Sequence, residues 1–159
     1  MLFIQDQNGA YLPAPKDTVL SEAKRLRSHQ LRRGVSVTSS DTAKAAIQDK
    51  LHGYECEMFA CLFLDSRHRV LEWVEIFRGT VNSATVHPRE VVKEALRLNA
   101  AAVILAHNHP SGDCTPSRED ITLTDKLRDI LKVIDVRVLD HLIVGDEITA
   151  MSDSGHFSS

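Results

Sequence analysis

Two histidines one residue apart, His107 and His109, follow directly on the apolar run Ala101 to Ala106. In extended backbone, residues two apart leave on the same side with Cα atoms about 6.5 Å apart, so both imidazoles can reach one ion. Zinc in catalytic sites takes three protein ligands, with nitrogen or oxygen donors at about 2.0–2.2 Å, and leaves its remaining position to water. A third ligand must come from elsewhere in the chain. Ser117-Arg118-Glu119-Asp120 fits the S-x-x-D/E start of a helix, which would set Asp120 in the first turn, beside unpaired N–H groups and the positive end of the dipole. That setting favours a charged carboxylate. A short loop returns the chain from His109 to this helix start, so Asp120 could face both histidines. Taken singly, each feature has a structural explanation: H-x-H alone is a weak signal, and Ser117 with Asp120 makes a capping box.

The elements that must position these residues are legible as periodicities. Ala101 to Ala106 reads as a central strand covered on both faces, ending where polarity begins at His107. A loop from Pro110 to Pro116 leads to a helix over Ser117 to Lys132, and Val136 to Val144 makes a further strand, ended by Gly145-Asp146. Met58 to Leu64 and Val70 to Phe77 form an antiparallel hairpin through Asp65-Ser66-Arg67-His68-Arg69. Thr80 to Val86 is a short strand or loop, and Pro88 opens a helix to about Asn99. Upstream, Asp17 to Gln30 has helical spacing of Leu20, Ala23, Leu26 and Leu31, with a Gly34 stop, and Ser40 or Asp41 caps a helix to Leu51 or His52. This order predicts an α/β fold with a mixed central sheet flanked by helices, and a helical N-terminal extension over residues 1–34 before the domain at 35–159. Polar groups at the carboxyl end of the central strand are where such folds bind ligands.

Together, His107-Asn108-His109, seven residues, Ser117, two residues and Asp120 make H-x-H-x7-S-x2-D. That pattern matches the JAMM signature of MPN-type metallohydrolases. With Glu57-Met58-Phe59, Gly79-Thr80, His87-Pro88-Arg89-Glu90-Val91-Val92, Pro110-Ser111-Gly112-Asp113, Thr115-Pro116 and Asp140-His141-Leu142-Ile143, the sequence resembles the RadC family, a bacterial branch of that superfamily, over roughly residues 35 to 150. The resemblance implies a cytidine-deaminase-like α/β sandwich and one Zn²⁺ per chain, held by His107, His109 and Asp120. It also implies water activated by an upstream glutamate, peptide or isopeptide hydrolysis, and an association with DNA repair. Glu55, Glu57, Glu72 and Glu75 all lie in or beside the hairpin; the resemblance points to Glu57 as the base, with Glu75 the runner-up. It gives Ser117 the role of donor to the developing oxyanion.

Three positions depart from the wider pattern. Asn108 stands where the superfamily usually has Ser or Thr, although Asn resembles the RadC branch. Residues 1–34 are too short to hold comfortably the helix-hairpin-helix module of full-length RadC proteins. Cys114 replaces a loop Pro, and is expected near the metal without binding it. His141, beside Asp140 in an apolar strand, reads as a hydrogen-bonded core histidine rather than a fourth ligand.

Composition narrows the alternatives. Lys+Arg at 19 against Asp+Glu at 22 gives a net charge of -3, so nothing global draws the chain to nucleic acid or an anionic membrane. The basic face of Lys24, Arg25, Arg27, Arg32 and Arg33 reads as solvated helix surface. No apolar run approaches the ~20 residues of a membrane span, and the start lacks the features of a secretory signal. Cys56, Cys61 and Cys114 form no C-x-x-C pair, so a reducing, cytoplasmic setting is expected. A nucleobase deaminase would need H-x-E and P-C-x-x-C, and neither occurs. The expected partner is a peptide or protein substrate, with nucleic acid left open. The non-enzymatic alternative is a DNA-repair-associated or scaffold protein with a zinc site and no peptidase activity.

Overall fold

The central strand is built from one of the two longest apolar runs of the chain, and the other elements pack around it. The computed structural model describes residues 1–157 except Ser39 and Ser83, with the Ser40 and Thr42 side chains also left out. Strand β5 (Ala102–Asn108) is buried throughout, since it carries neighbours on both edges and helices on both faces. The strands β3 (Met58–Leu64), β4 (Val70–Arg78), β6 (Arg137–Val144) and β7 (Ile148–Ala150) complete a mixed sheet in the order β4-β3-β5-β6-β7. β5 is antiparallel to β3 and parallel to β6, as expected of strands joined by a hairpin-side return on one edge and a helical crossover on the other.

Side-chain alternation divides the core in two. Met58, Leu62, Ile104, Ala106 and Leu142 face α2 (Ser40–Leu51), which buries Ala43, Ala46, Ile47 and Leu51. Phe59, Phe63, Val103 and Leu105 face α3 (Pro88–Arg97) and α4 (Arg118–Val133), which contribute Val91, Ala95, Leu123, Leu127 and Leu131. A fully buried Leu side chain contributes about 1.5–3 kcal/mol relative to exposure, so these two apolar layers dominate the stability of the sheet. The result is the expected α/β sandwich, with one helix on one face and two on the other.

Several boundaries differ from the sequence reading. β5 does not stop at Ala106: Phe59 pairs with His107, and Asn108 with Val144, so the strand runs on through His107 and Asn108 into the first polar residues. Neighbouring strands supply partners for that backbone, and the ladder overrides the change in polarity. β7 lies in the stretch after Gly145-Asp146 and adds an edge strand that its three residues were too few to announce. The described residues between Thr80 and Val86 form no strand, and Asn82 accepts from the N–H groups of Ala84 and Thr85. The Ser40 side chain, one of two expected caps, lies outside the described residues.

The first 34 residues form a hairpin, β1 (Phe3–Gln5) with β2 (Tyr11–Pro13), then α1 (Lys16–Ser28) and a short 3-10 turn, His29–Leu31. The spacing of Leu20, Ala23 and Leu26 forms the helix but buries no face, for α1 has no buried residue. Its attachment is an Arg27–Asp49 ion pair of 2.5 Å and the buried Leu31. The segment after Gly34 pairs with the start of β4 through Gly34 N–H to Val70 O and Val70 N–H to Val35 O. No helix among the described residues is long and apolar enough to cross a membrane.

Two glycines fix the loop that follows β5 against the β6–β7 turn. Gly112 has φ of +92° and accepts at its carbonyl from the Asp146 N–H at 2.8 Å. A Cβ at Gly145 would stand 2.3 Å from that carbonyl oxygen. Gly145→Ala is therefore expected to lower stability by about 1–3 kcal/mol, as overpacking does. Urea denaturation measures this, and a change below roughly 0.5 kcal/mol would show that the two turns do not need their close approach.

Candidate metal centre

His107, His109 and Asp120 converge at the carboxyl end of β5, with one donor atom of each within 4.8 Å of the others. The alternation of the strand places His107 and His109 on the face covered by α4, and the intervening Asn108 on the other. Asp120 reaches them from the first turn of α4. There Ser117 Oγ accepts from the Asp120 N–H at 3.0 Å while Asp120 Oδ2 accepts from the Ser117 N–H at 2.7 Å, so the capping box is complete. The same carboxylate still meets both imidazoles, through Oδ1 at 3.0 Å from His107 Nε2 and Oδ2 at 3.2 Å from His109 Nε2. Capping and ligand-like convergence are thus two uses of one carboxylate, and the choice between them posed by the sequence does not arise.

Each imidazole is oriented through its other nitrogen. His109 Nδ1 lies 2.7 Å from the Asp113 carbonyl, which can only accept, so Nδ1 carries a proton and Nε2 is the nitrogen turned toward the cluster. His107 Nδ1 lies 2.8 Å from His141 Nε2, and His141 Nδ1 lies 2.6 Å from Thr124 Oγ1. His141 is fully buried and hydrogen-bonded on both nitrogens, as the sequence reading expects. Thr124 was missed; its only sequence signal is a polar residue four after Asp120 in the apolar stripe of Leu123, Leu127 and Leu131.

Burial opposes the charge of Asp120, but the hydrogen bonds from His107 and His109 outweigh it and hold the carboxyl well below the usual carboxylate range. The Asp120 hydrogen bond in turn raises His109 above the ordinary imidazole value of 6.5, against its desolvation. Burial, with His107 beside it, pushes His141 well below that value, so its ring is neutral.

Glu57 and Ser117 line the same cleft of about 470 Å³ as His109 and Asp120. Glu57 precedes β3 and accepts through Oε2 from the Val81 N–H at 2.5 Å. Asn108 holds the backbone on either side of it: Oδ1 accepts from the Met58 N–H at 2.7 Å and Nδ2 donates to the Cys56 carbonyl at 3.0 Å. A side-chain amide here continues the strand pairing one residue beyond the ladder, which orients the segment carrying Glu57. Glu75 pairs in register with Ala60 and bonds the Tyr54 hydroxyl at 2.8 Å, among groups packed on the α2 face. Glu72 is ion-paired with Arg97. Glu55 lines a neighbouring cleft of about 390 Å³ with His52 and Tyr54, which shares His109 and Pro110 with the first. Cys114 stands outside the ligand group, its Sγ accepting from the Thr149 hydroxyl at 3.1 Å.

The sheet, the covering helices and this cluster define an α/β domain with a three-residue group able to hold a metal ion. A family model described as the RadC-like JAB domain matches residues 37–156, and the chain belongs to the RadC family. It is 51% identical over 142 residues to a UPF0758 protein of Thioalkalivibrio sulfidiphilus, covering 89% of this chain and 64% of the relative. A UPF0758 protein of Vibrio cholerae is 47% identical over 140 residues, 88% of this chain and 89% of its own length. The chain therefore spans just under two thirds of one relative and nearly all of the other.

The charge pairing has a consequence for the metal-free protein. A raised His109 value means that its pairing with Asp120 contributes stability fully below 6.5, and that this is lost as pH rises through the raised value. Asp120 has the opposite sign: its contribution is present above the ordinary carboxylate range and lost only as pH falls through its depressed value. NMR titration of the metal-free protein should find His109 titrating above 6.5, and Asp120→Asn should bring it down. A wild-type value at or below 6.5 would contradict the pairing.

Proposed function

We propose that this protein is a zinc-dependent hydrolase acting on a peptide or isopeptide bond. The observation that carries the reading is the convergence of His107, His109 and Asp120 beside a cleft that His109 and Asp120 line together with Glu57 and Ser117. The donor set fits a divalent ion of the zinc class: two neutral imidazole nitrogens and one carboxylate oxygen, with no thiolate, is the composition of an open catalytic site rather than a closed structural one. When bound there, the ion supplies an acidified water and a Lewis acid for the scissile carbonyl.

The remaining work falls to the chain's own groups. Glu57 takes the proton of the attacking water and returns it to the leaving nitrogen. Its Oε2 is held by the Val81 N–H, which leaves Oε1 to exchange the proton. Ser117 Oγ accepts from the Asp120 N–H, so its own proton is free to donate to oxygen charge developing in the cleft that it lines. The cleft walls from Thr80 to Asn82 and from Pro110 to Ser111 flank a substrate chain on two sides. The setting proposed for this activity is the cytoplasm.

Metal analysis of the purified protein should give one zinc per chain, and His109→Ala should lose it. Undiminished zinc in that variant would contradict the ligand set. With a peptide or isopeptide substrate, Glu57→Gln should lower turnover by ~10²-fold or more while zinc stays bound. Glu75→Gln should change it little, because Glu75 lies on the α2 face; an exchange of the two outcomes would move the base to Glu75. A zinc-loaded protein without hydrolytic activity across peptide, isopeptide and DNA substrates would favour a scaffold role.

A further inference from the structure

The two histidines of the cluster are oriented by different kinds of partner. His109 Nδ1 faces a carbonyl, which settles its tautomer outright. His107 Nδ1 faces another histidine, His141, and a neutral imidazole can either accept or donate at the nitrogen it offers. Two polarities of the hydrogen-bond chain are therefore open. In one, His107 carries its proton on Nδ1 and leaves the Nε2 lone pair for a metal. In the other, His141 donates, and the His107 proton stands on Nε2, where an ion would have to be.

At the near end, Asp120 Oδ1 stands 3.0 Å from His107 Nε2 and draws a proton there only while no ion takes that nitrogen; what decides the polarity with an ion in place is the far end of the chain. Thr124 Oγ1 lies 2.6 Å from His141 Nδ1 and 2.6 Å from the Asp120 carbonyl oxygen, one turn back on α4. Two oxygens at 2.6 Å with no proton between them repel, so the single hydroxyl proton lies toward the carbonyl. Thr124 must then accept from His141 Nδ1. His141 Nε2 is left as an acceptor, and it takes the proton from His107 Nδ1. Burial seals the arrangement: His107 and His141 are 0% exposed and Thr124 is 1% exposed, and Phe59 packs edge-on against His141 with ring centroids 5.9 Å apart.

We propose that Thr124 and His141 are positioning residues that set the tautomer of His107, and so its competence as a metal ligand, by a hydrogen-bond chain anchored on the backbone of Asp120. The inference rests on the reading of His107, His109 and Asp120 as ligands. The chain ties two of them together, since the carbonyl that orders His107 belongs to the residue whose carboxylate faces it. Loss of the hydroxyl leaves His141 Nδ1 without an acceptor in a dry site. Its proton then moves to Nε2, which turns the chain to the polarity that blocks His107.

Two measurements on the full chain test this, with zinc as the probe. Long-range ¹H–¹⁵N correlation spectra of the zinc-loaded protein should show both His107 and His141 protonated at Nδ1; protonation of His141 at Nε2 would overturn the proposal in the wild type alone, whatever the variants do. In a competition assay against a chromophoric chelator, Thr124→Val should weaken zinc binding about 10- to 100-fold. Thr124→Ser keeps the hydroxyl and should stay within roughly threefold of wild type. Zinc affinity of Thr124→Val within the same threefold would overturn the relay while leaving the ligand set standing. Failure of the wild type to bind zinc would instead remove the ligand reading, and the relay with it.

Discussion

The site depends on one buried carboxylate that must remain charged. Asp120 is 2% exposed, a setting that penalises an isolated charge by several kcal/mol. Three things compensate it: the Ser117 N–H, the positive end of the α4 dipole, and the imidazoles of His107 and His109. Remove the helix start and the charge has no solvation; remove the histidines and it has no counterpart. The loop from His109 to Ser117 must therefore be short and fixed, and the near contact of Gly112 with Gly145 is what holds it against the sheet.

The sheet contributes direction. Register between Phe59 and His107 aligns the start of β3 with the end of β5, so a residue just before β3 and two residues at the end of β5 meet at the same end of the sheet. Alternation assigns Glu57 and His107 to one face and Asn108 to the other. Asn108 uses that opposite face to pin the backbone around Glu57, so the residue between the two histidines helps to orient the proposed base. The amide serves the Met58 N–H and the Cys56 carbonyl with two separate atoms, where a Ser or Thr side chain would offer a single oxygen on a shorter stem.

Most of the fold was legible because its elements are long and strongly patterned. The apolar run of β5, the hairpin β3–β4 and the capped helix α4 stand close to where periodicity and caps put them. The failures are physical rather than accidental. β5 continues into His107 and Asn108 because neighbouring strands supply hydrogen bonds that local polarity cannot reveal. α1 has the spacing of an amphipathic helix but lies against α2 without fully burying any of its residues. Within the candidate site, His107, His109, Asp120 and Ser117 carry a spacing signal, while Glu57 stood out from its neighbours only through family resemblance. Thr124 has no motif, for its role arises from the meeting of α4 with β6. The sequence also posed capping and ligation as rivals at Asp120, whereas a carboxylate has enough lone pairs for both.

The central claim is that two imidazoles and one carboxylate, with no sulfur, make the protein's share of a metal shell. X-ray absorption at the zinc edge of the loaded protein tests it most directly. The account predicts a first shell of nitrogen and oxygen at about 2.0–2.2 Å, with outer-shell scattering from two imidazole rings. A sulfur shell near 2.3 Å, or an all-oxygen shell without imidazole scattering, would contradict it.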